Sequence, residues 1–148
     1  MAEVAVAYAY FDPSALVKRY VDEPGSLEVR RLLRARRVMS SVLLRVEVLS
    51  ALRRRREEAA LSARAFARLL RRVEADDASW QLVPVSDEIV AAARSRVLQQ
   101  SVRTLDAIHL ASAEALHREG MRIPFVTADA RQADAGRVIG LDVVPVWL

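Results

Sequence analysis

Residues 4–11 have the sequence VAVAYAYF, an unbroken apolar and aromatic run that ends abruptly at Asp12-Pro13-Ser14. A run without alternation between apolar and polar residues is typical of a β-strand that is buried on both faces, as in a parallel sheet. The sequence therefore predicts a buried strand over residues 4–11, with Asp12 directly after it.

The rest of the chain alternates between extended and helical segments. Further strands are predicted over residues 38–41, 80–85, 123–127 and 143–146. Helices are predicted over residues 15–20, 26–36, 42–58, 86–98, 104–118 and 129–138, and Ser62 is expected to cap one more, whose apolar stripe ends at Val73. Because helices separate the strands, this order predicts an α/β fold: an open, mostly parallel sheet of four to five strands with helices on both faces.

The composition restricts the class of protein. A chain of 148 residues, 53% of them hydrophobic, suits one domain over residues 1–148 with a buried core. The absence of cysteine excludes disulfides, thiolate zinc sites and cysteine nucleophiles, and the four glycines form no phosphate-binding loop. No apolar run approaches about 20 residues, so we expect no membrane span and a cytoplasmic location.

The positive charge is almost entirely arginine. The 23 basic residues exceed the 19 acidic ones by four, and Lys18 is the only lysine. Arginine suits phosphate recognition, so the excess fits a polyanionic partner. The run from Arg53 to Arg56 is a candidate RNA contact, but a solvated helix end paired with Glu57 and Glu58 explains most of it equally simply.

Three aspartates stand where a ligand site or a helix start would place them. Asp12 and Asp129 each follow a predicted strand, and open α/β sheets bind ligands at the carboxyl ends of strands. Each could instead be a helix N-cap, and Asp12 followed by Pro13 is typical of one. Asp106 lies in the first turn after Thr104, where a carboxylate complements the helix dipole. Judged singly, all three are explained by structure alone.

Glu47 is harder to explain in this way. It lies within a predicted helix whose neighbouring residues are nearly all apolar, and a carboxylate there is costly without a partner. A salt bridge to Arg45 or Arg54, or exposure on a narrow polar stripe, is the structural explanation.

Taken together, the four acids suggest a metal site, because a parallel sheet can bring all of them to one edge. Crowded carboxylates repel each other unless a cation neutralises them. A set of ligands made only of oxygen selects hard ions such as Mg²⁺ or Mn²⁺. Such an ion would activate water for attack on a phosphodiester.

Four short motifs resemble those of the PIN-domain family. They are residues 10–20 (YFDPSALVKRY), residues 41–52 around the helical glutamate, residues 104–113 (TLDAIHLASA) and residues 125–129 (FVTAD). Their order and spacing extend the resemblance from Tyr8 to residues 140–144. One departure is Pro13, which stands where most such openings have threonine.

The resemblance is close to the VapC-like toxins of type II toxin–antitoxin modules. It implies a Mg²⁺- or Mn²⁺-dependent endoribonuclease, usually a homodimer, that a cognate antitoxin protein holds inactive. By position, the residues that correspond to the family's catalytic and metal-binding acids are Asp12, Glu47, Asp106 and Asp129.

Roles within the site follow from this resemblance. Asp12 and Asp106 are expected to hold the principal ion, and Glu47 and Asp129 to complete the site. Metal-activated water would then hydrolyse the RNA phosphodiester and leave a 3′-hydroxyl and a 5′-phosphate.

Three further residues are candidates for supporting roles. Asp134 is a candidate outer ligand, and the hydroxyl of Thr127 could orient the site. His109 follows Asp106 by three residues on the same predicted helix, so it could donate to a carboxylate or act as a base. A satisfied core histidine is the commoner alternative.

Two rival functions remain open at this stage. Another acidic-site enzyme is disfavoured, because a dehalogenase-type phosphatase would need an aspartate at Ser14 and a phospho-receiver domain would need a lysine after a late strand. The other rival is a non-catalytic RNA- or partner-binding PIN-like domain with a vestigial acidic site. In that protein the acids would hold no cation.

Overall fold

The computed structural model describes residues 5–147, so Val4, the start of the predicted first strand, lies outside the described residues. The strands are β1 (Tyr8–Phe11), β2 (Arg37–Ser41), β3 (Gln81–Val83), β4 (Pro124–Thr127) and β5 (Asp142–Pro145). The α-helices are α1 (Pro13–Leu16), α2 (Ser26–Ala35), α3 (Leu44–Ala59), α4 (Ala63–Asp77), α5 (Asp87–Gln99), α6 (Thr104–Arg118) and α7 (Ala130–Val138). A 3₁₀-helix covers Val17–Arg19. None of these helices is both long enough and apolar enough to cross a membrane.

The strands of residues 5–147 form one sheet with the order β3-β2-β1-β4-β5, and every neighbouring pair is parallel. From the central β1, the chain first adds β2 and β3 on one side and then crosses to add β4 and β5 on the other. The strand order therefore reverses between β1 and β4. Open α/β sheets bind ligands at the carboxyl ends of the strands at such a switch point.

The two faces of the sheet carry separate hydrophobic cores. On β1, Ala9 and Phe11 pack into one core and Tyr10 into the other, and on β4 Val126 and Phe125 divide in the same way. Helices α1 to α4 contribute to the first core, α6 and α7 to the second, and α5 packs on α6. The predicted fold, an open parallel sheet with helices on both faces, is confirmed.

Strands β1, β3 and β4 are shorter than predicted, whereas β2 begins one residue earlier and β5 is shifted by one residue. Hydrogen-bonding partners explain the changes in β1 and β3. β1 begins at Tyr8 because Tyr8 pairs with Arg37, the first residue of β2. β3 ends at Val83, two residues before the predicted end, since Pro84 has no N–H to donate to a neighbouring strand. Apolar character marks burial, whereas hydrogen-bonding partners decide where a strand begins and ends.

Gly25 joins the start of α2 to the end of the chain, and its replacement by alanine tests that contact. Its φ is +93°, and an added Cβ would meet the carbonyl oxygen of Val146 at 1.9 Å. Gly120 is a matched control, because its φ is +91° and nothing lies within 4 Å of an added Cβ. We expect Gly120→Ala to cost about 1–2 kcal/mol from the left-handed backbone alone. Gly25→Ala should cost at least about 2 kcal/mol more, because the atoms overlap.

The measurement is the free energy of unfolding in urea for both variants and the unchanged protein. Equal losses in the two variants would show that the contact with Val146 imposes no constraint.

Candidate active site

A pocket of about 480 Å³ opens at the carboxyl edge of the sheet, beside the ends of β1 and β4. Four elements bring acidic side chains to its wall. Asp12 follows β1, Glu47 lies on α3, Asp106 is in the first turn of α6, and Asp129 follows β4. The four acids that the sequence singled out, although far apart in the chain, therefore line one pocket.

Asp12 is buried, with 4% of its surface exposed. Its Oδ1 accepts a hydrogen bond from the main-chain N–H of Ser14 at 3.2 Å, and its Oδ2 accepts one from the hydroxyl of Thr127 at 2.9 Å. Burial raises the pKa of Asp12 to about 6, and the nearby charge of Asp106 acts in the same direction, although His109 and the two hydrogen bonds oppose the rise. The site therefore contains a carboxylate that would gain from a nearby cation.

Thr127 connects the ends of β1 and β4. Its hydroxyl donates to Asp12 and accepts from the main-chain N–H of Asp129 at 3.1 Å. Next to it, the hydroxyl of Ser14 accepts from the main-chain N–H of Ala128 at 3.0 Å. These bonds hold Asp12 and Asp129 in a fixed relation, which is the geometry that an orienting role for Thr127 requires.

Asp106 and Asp129 lie close enough to influence each other. Burial raises the pKa of Asp106, the charges of Asp129 and Glu47 raise it further, and Arg103 and His109 act against them. Gln132 on α7 connects α7 to the start of α6, because its side chain donates to the main-chain oxygen of Asp106 at 2.9 Å. Like charges thus meet at the N-terminal ends of α6 and α7, where both helix dipoles favour negative charge.

Asp12 and Asp129 also cap helices, as the structural alternative predicted. The side chain of Asp12 caps α1, and Asp129 caps α7 through the N–H groups of Arg131 and Gln132. Each aspartate therefore serves the helix and lines the pocket at once, so the two explanations are not exclusive.

The partner of Glu47 is neither of the arginines that the sequence suggested. Its Oε1 lies 2.6 Å from Nε2 of His109, a residue of α6. Arg45 instead pairs with Asp77 at 2.9 Å, and Arg54 donates to the hydroxyl of Ser50. Residues adjacent in the helix were the nearest candidates in sequence, but α6 supplies the contact.

His109 is buried, as the core alternative predicted, and its two ring nitrogens are both hydrogen-bonded. Nδ1 lies 2.7 Å from the hydroxyl of Tyr10, and Nε2 contacts Glu47. It is therefore both a satisfied core histidine and a neighbour of the acidic pocket.

Asp134, the candidate outer ligand, lies elsewhere. Its side chain is 80% exposed, forms an ion pair with Arg137 at 3.3 Å, and is not part of the pocket wall. Because Asp134 is five residues beyond Asp129 on α7, it faces solvent rather than the acids.

Three arginines in the pocket wall were not assigned to the site from the sequence. They are Arg54, Arg55 and Arg103. Arg55 forms an ion pair with Glu23 at 2.8 Å, and its distance to Glu58 is 3.9 Å. The run from Arg53 to Arg56 had indicated Arg54 and Arg55 as possible RNA contacts. No sequence pattern indicated Arg103, because only the packing of α6 brings it to the pocket.

The donor chemistry of the pocket suits a hard divalent cation, although the side chains do not form a finished coordination shell. No three histidine or acidic side chains within residues 5–147 converge closely enough to hold a metal ion by themselves. Both oxygens of Asp12 accept hydrogen bonds, and Glu47 is bound to His109. Mg²⁺ usually keeps several waters and needs only one or two carboxylates, so the oxygen-only set fits such an ion.

The family to which the chain belongs is decided by comparison with known proteins. The pattern of the PIN domain matches residues 9–138. The chain belongs to the PIN-domain family. Over 141 residues this PIN domain is 39% identical to Ribonuclease VapC46 of Mycobacterium tuberculosis, and the alignment covers 94% of this chain and 98% of that protein. It is therefore a VapC-like PIN domain, and the resemblance noted in the sequence is confirmed.

Solved structures share the fold of this PIN domain. The crystal structure of Mycobacterium tuberculosis VapC20, described as a sarcin–ricin loop cleaving toxin, matches with a TM-score of 0.64 at 16% identity, covering 86% of this chain and 95% of that one. A toxin–antitoxin complex from Klebsiella pneumoniae matches with a TM-score of 0.62 at 18% identity, covering 94% and 98%. At these identities the comparison concerns the fold alone.

Asp12→Asn should stabilise the metal-free PIN domain at neutral pH. The folded pKa of about 6 lies above the ordinary value of 3.8, so the charged carboxylate costs stability above pH 6. That cost is lost as the pH falls from about 6 to below 3.8, where Asp12 is protonated in both states. Asparagine carries no charge and still caps a helix, so the gain at pH 7.5 should be on the order of 2–3 kcal/mol.

Urea denaturation in EDTA at pH 7.5 and pH 5 measures this gain. It should be smaller at pH 5, and exposed Asp134→Asn should show no comparable gain. A gain independent of pH would mean that the charge of Asp12 is not the cause.

Proposed function

We propose that this protein is a Mg²⁺- or Mn²⁺-dependent endoribonuclease, the toxin of a toxin–antitoxin module. One observation carries the proposal: in a VapC-like PIN domain, the side chains of Asp12, Glu47, Asp106 and Asp129 line one pocket at the switch point of the sheet. Carboxylates crowded in this way repel each other, and a bound cation would relieve the repulsion.

The proposed roles of the four acids follow from their surroundings. Asp12 and Asp106 are proposed to hold the principal ion, since burial raises the pKa of both and a cation would stabilise their charged forms. Glu47 and Asp129 would complete the site. A bound ion of this class lowers the pKa of water and neutralises charge on a phosphodiester. The expected products of RNA hydrolysis are a 3′-hydroxyl and a 5′-phosphate.

Arginines supply the contacts that a polyanionic substrate needs. Arg54 on α3 and Arg103 beside α6 line the pocket from two sides, and Arg55 is held near it by Glu23. Guanidinium groups bind phosphate through paired N–H donors. We therefore assign Arg54 and Arg103 to the RNA backbone on either side of the scissile bond.

The proposed partners follow from the VapC relationship. VapC46 is named a ribonuclease, and one structural neighbour is a toxin–antitoxin complex, which supports RNA as substrate and a cognate antitoxin protein as inhibitor. We also propose a homodimer, a cytoplasmic location and a single domain that comprises the whole sequence. The PIN-domain match over residues 9–138 supports the last of these.

Cleavage of a mixed cellular RNA pool tests the enzymatic proposal. We expect cleavage in Mg²⁺ or Mn²⁺ and none in EDTA. Asp12→Asn and Asp106→Asn should each lower kcat/KM about a hundredfold or more, because several kcal/mol of charge stabilisation depend on the ion. Asp134→Asn, which removes an exposed carboxylate outside the pocket, should cleave normally.

Circular dichroism must show that the inactive variants are folded. Cleavage that survives EDTA or Asp12→Asn would contradict the proposal. RNA binding without cleavage or metal binding would support the non-catalytic binding domain instead.

The salt dependence of RNA binding tests the two arginines. In EDTA, which prevents cleavage, Arg54→Gln and Arg103→Gln should each weaken binding. The slope of log Kd against log salt should fall by about 0.7 for each phosphate of single-stranded RNA that the variant no longer neutralises. Arg118→Gln is the control, because Arg118 pairs with Glu114 at 2.8 Å and lies outside the pocket wall. An unchanged slope in both pocket variants would remove these arginines from the RNA site.

A further inference from the structure

A chain of hydrogen bonds connects the core to the acidic pocket. The Tyr10 hydroxyl lies 2.7 Å from Nδ1 of His109, and Nε2 of His109 lies 2.6 Å from Oε1 of Glu47. Tyr10 and His109 are fully buried, and 19% of the Glu47 side chain is exposed. The chain therefore leads from the interior of the sheet to a carboxylate in the pocket wall.

The hydrogen-bonding partners fix the orientation of the imidazole ring. Nδ1 of His109 lies against the Tyr10 hydroxyl, which Ser40 and Ser112 also approach. Burial raises the pKa of the Tyr10 phenol, so this group keeps its proton. A carboxylate can only accept, so Nε2 of His109 donates in the 2.6 Å hydrogen bond to Glu47.

We propose that His109 is a positioning residue: held at Nδ1 by the Tyr10 hydroxyl, it fixes the carboxylate of Glu47 in the acidic pocket through Nε2. The inference rests on the proposed function, because it gives Glu47 its place in the metal site. It adds two residues, neither of them an acid, to the machinery of that site.

The hydrogen bond from His109 leaves part of the Glu47 carboxylate available to an ion. It uses only Oε1, so Oε2 is left without a hydrogen bond among the described residues.

The bond also spans the two layers of the fold. α3, which carries Glu47, packs on one face of the sheet, and α6, which carries His109, packs on the other. No local interaction within α3 could hold the carboxylate in this direction. Partners that orient a metal ligand in this way typically affect metal affinity by ten- to a hundredfold.

Long-range ¹⁵N NMR of the wild-type protein in EDTA measures the tautomer directly. The chain has two histidines, and a His117→Gln variant assigns their signals. We expect Nε2 of His109 to carry the proton that it donates to Glu47. An Nε2 without a proton at pH 7.5 would overturn the proposal.

A matched pair of variants then tests the positioning role. Glutamine at position 109 carries an amide donor about as far from the backbone as Nε2, whereas asparagine is too short to reach Glu47. We expect His109→Asn to bind Mn²⁺ about tenfold more weakly in calorimetry and to lower kcat with little change in KM for RNA. His109→Gln should restore much of both properties.

A double-mutant cycle separates positioning from general stability. If His109 acts through Glu47, His109→Asn should weaken Mn²⁺ binding no further in a Glu47→Gln background. An equal loss in both backgrounds, or wild-type Mn²⁺ affinity in His109→Asn, would overturn the positioning role. If His109→Asn does not fold, Tyr10→Phe replaces it in the cycle, with the same expected coupling to Glu47.

Failure of the proposed function gives a different result from failure of this inference. A wild-type protein that neither binds Mn²⁺ nor cleaves RNA would contradict the proposed function. A wild-type protein that does both, together with an unaffected His109→Asn variant, would contradict only the role of His109.

Discussion

Asp12 is buried between the carboxyl ends of two parallel strands and is the residue on which the rest of the site depends. It accepts hydrogen bonds from Ser14 and Thr127 but forms no ion pair with a basic side chain within residues 5–147. A buried carboxylate without a cationic partner is costly in its charged form. Asp12 carries this cost at the point where β1 and β4 separate. The charges of neighbouring acids raise the free energy of its charged form further.

Main-chain N–H groups at the helix starts reduce the cost of the charged carboxylates in the site. Asp12 and Asp129 cap α1 and α7, so their oxygens satisfy N–H groups that would otherwise lack partners. Asp106 stands in the first turn of α6, where the helix dipole partly offsets the repulsion. Three helix starts thus meet at one edge, which makes a concentration of negative charge tolerable before any cation binds. Stability and the proposed function oppose each other at Asp12, as is common where a site must hold charge.

The acidic edge also joins the two layers of the molecule. Thr127 and Ser14 link the ends of β1 and β4, and His109 links α6 to Glu47 across the sheet. Thr127 and His109, on which these connections depend, are fully buried. A site built on packed elements holds its geometry better than one built on loops.

The sequence by itself determined the order of the elements, the parallel α/β class and the four acids of the pocket. It could do so because each signal is local: the apolar run before Asp12, the cap positions, and the motifs around Glu47 and Asp106. Tertiary structure decided what no local pattern contains. Strand pairing moved the start of β1 to Tyr8, and the face of α7 turned Asp134 toward solvent.

The partner of Glu47 shows the physical reason most clearly. In sequence, Arg45 and Arg54 on the same helix were the expected partners, but His109 lies 62 residues away and meets Glu47 only because α3 and α6 approach each other at the end of the sheet. Periodicity indicates which residues share a helix face, whereas the approach of two helices depends on how the whole core packs.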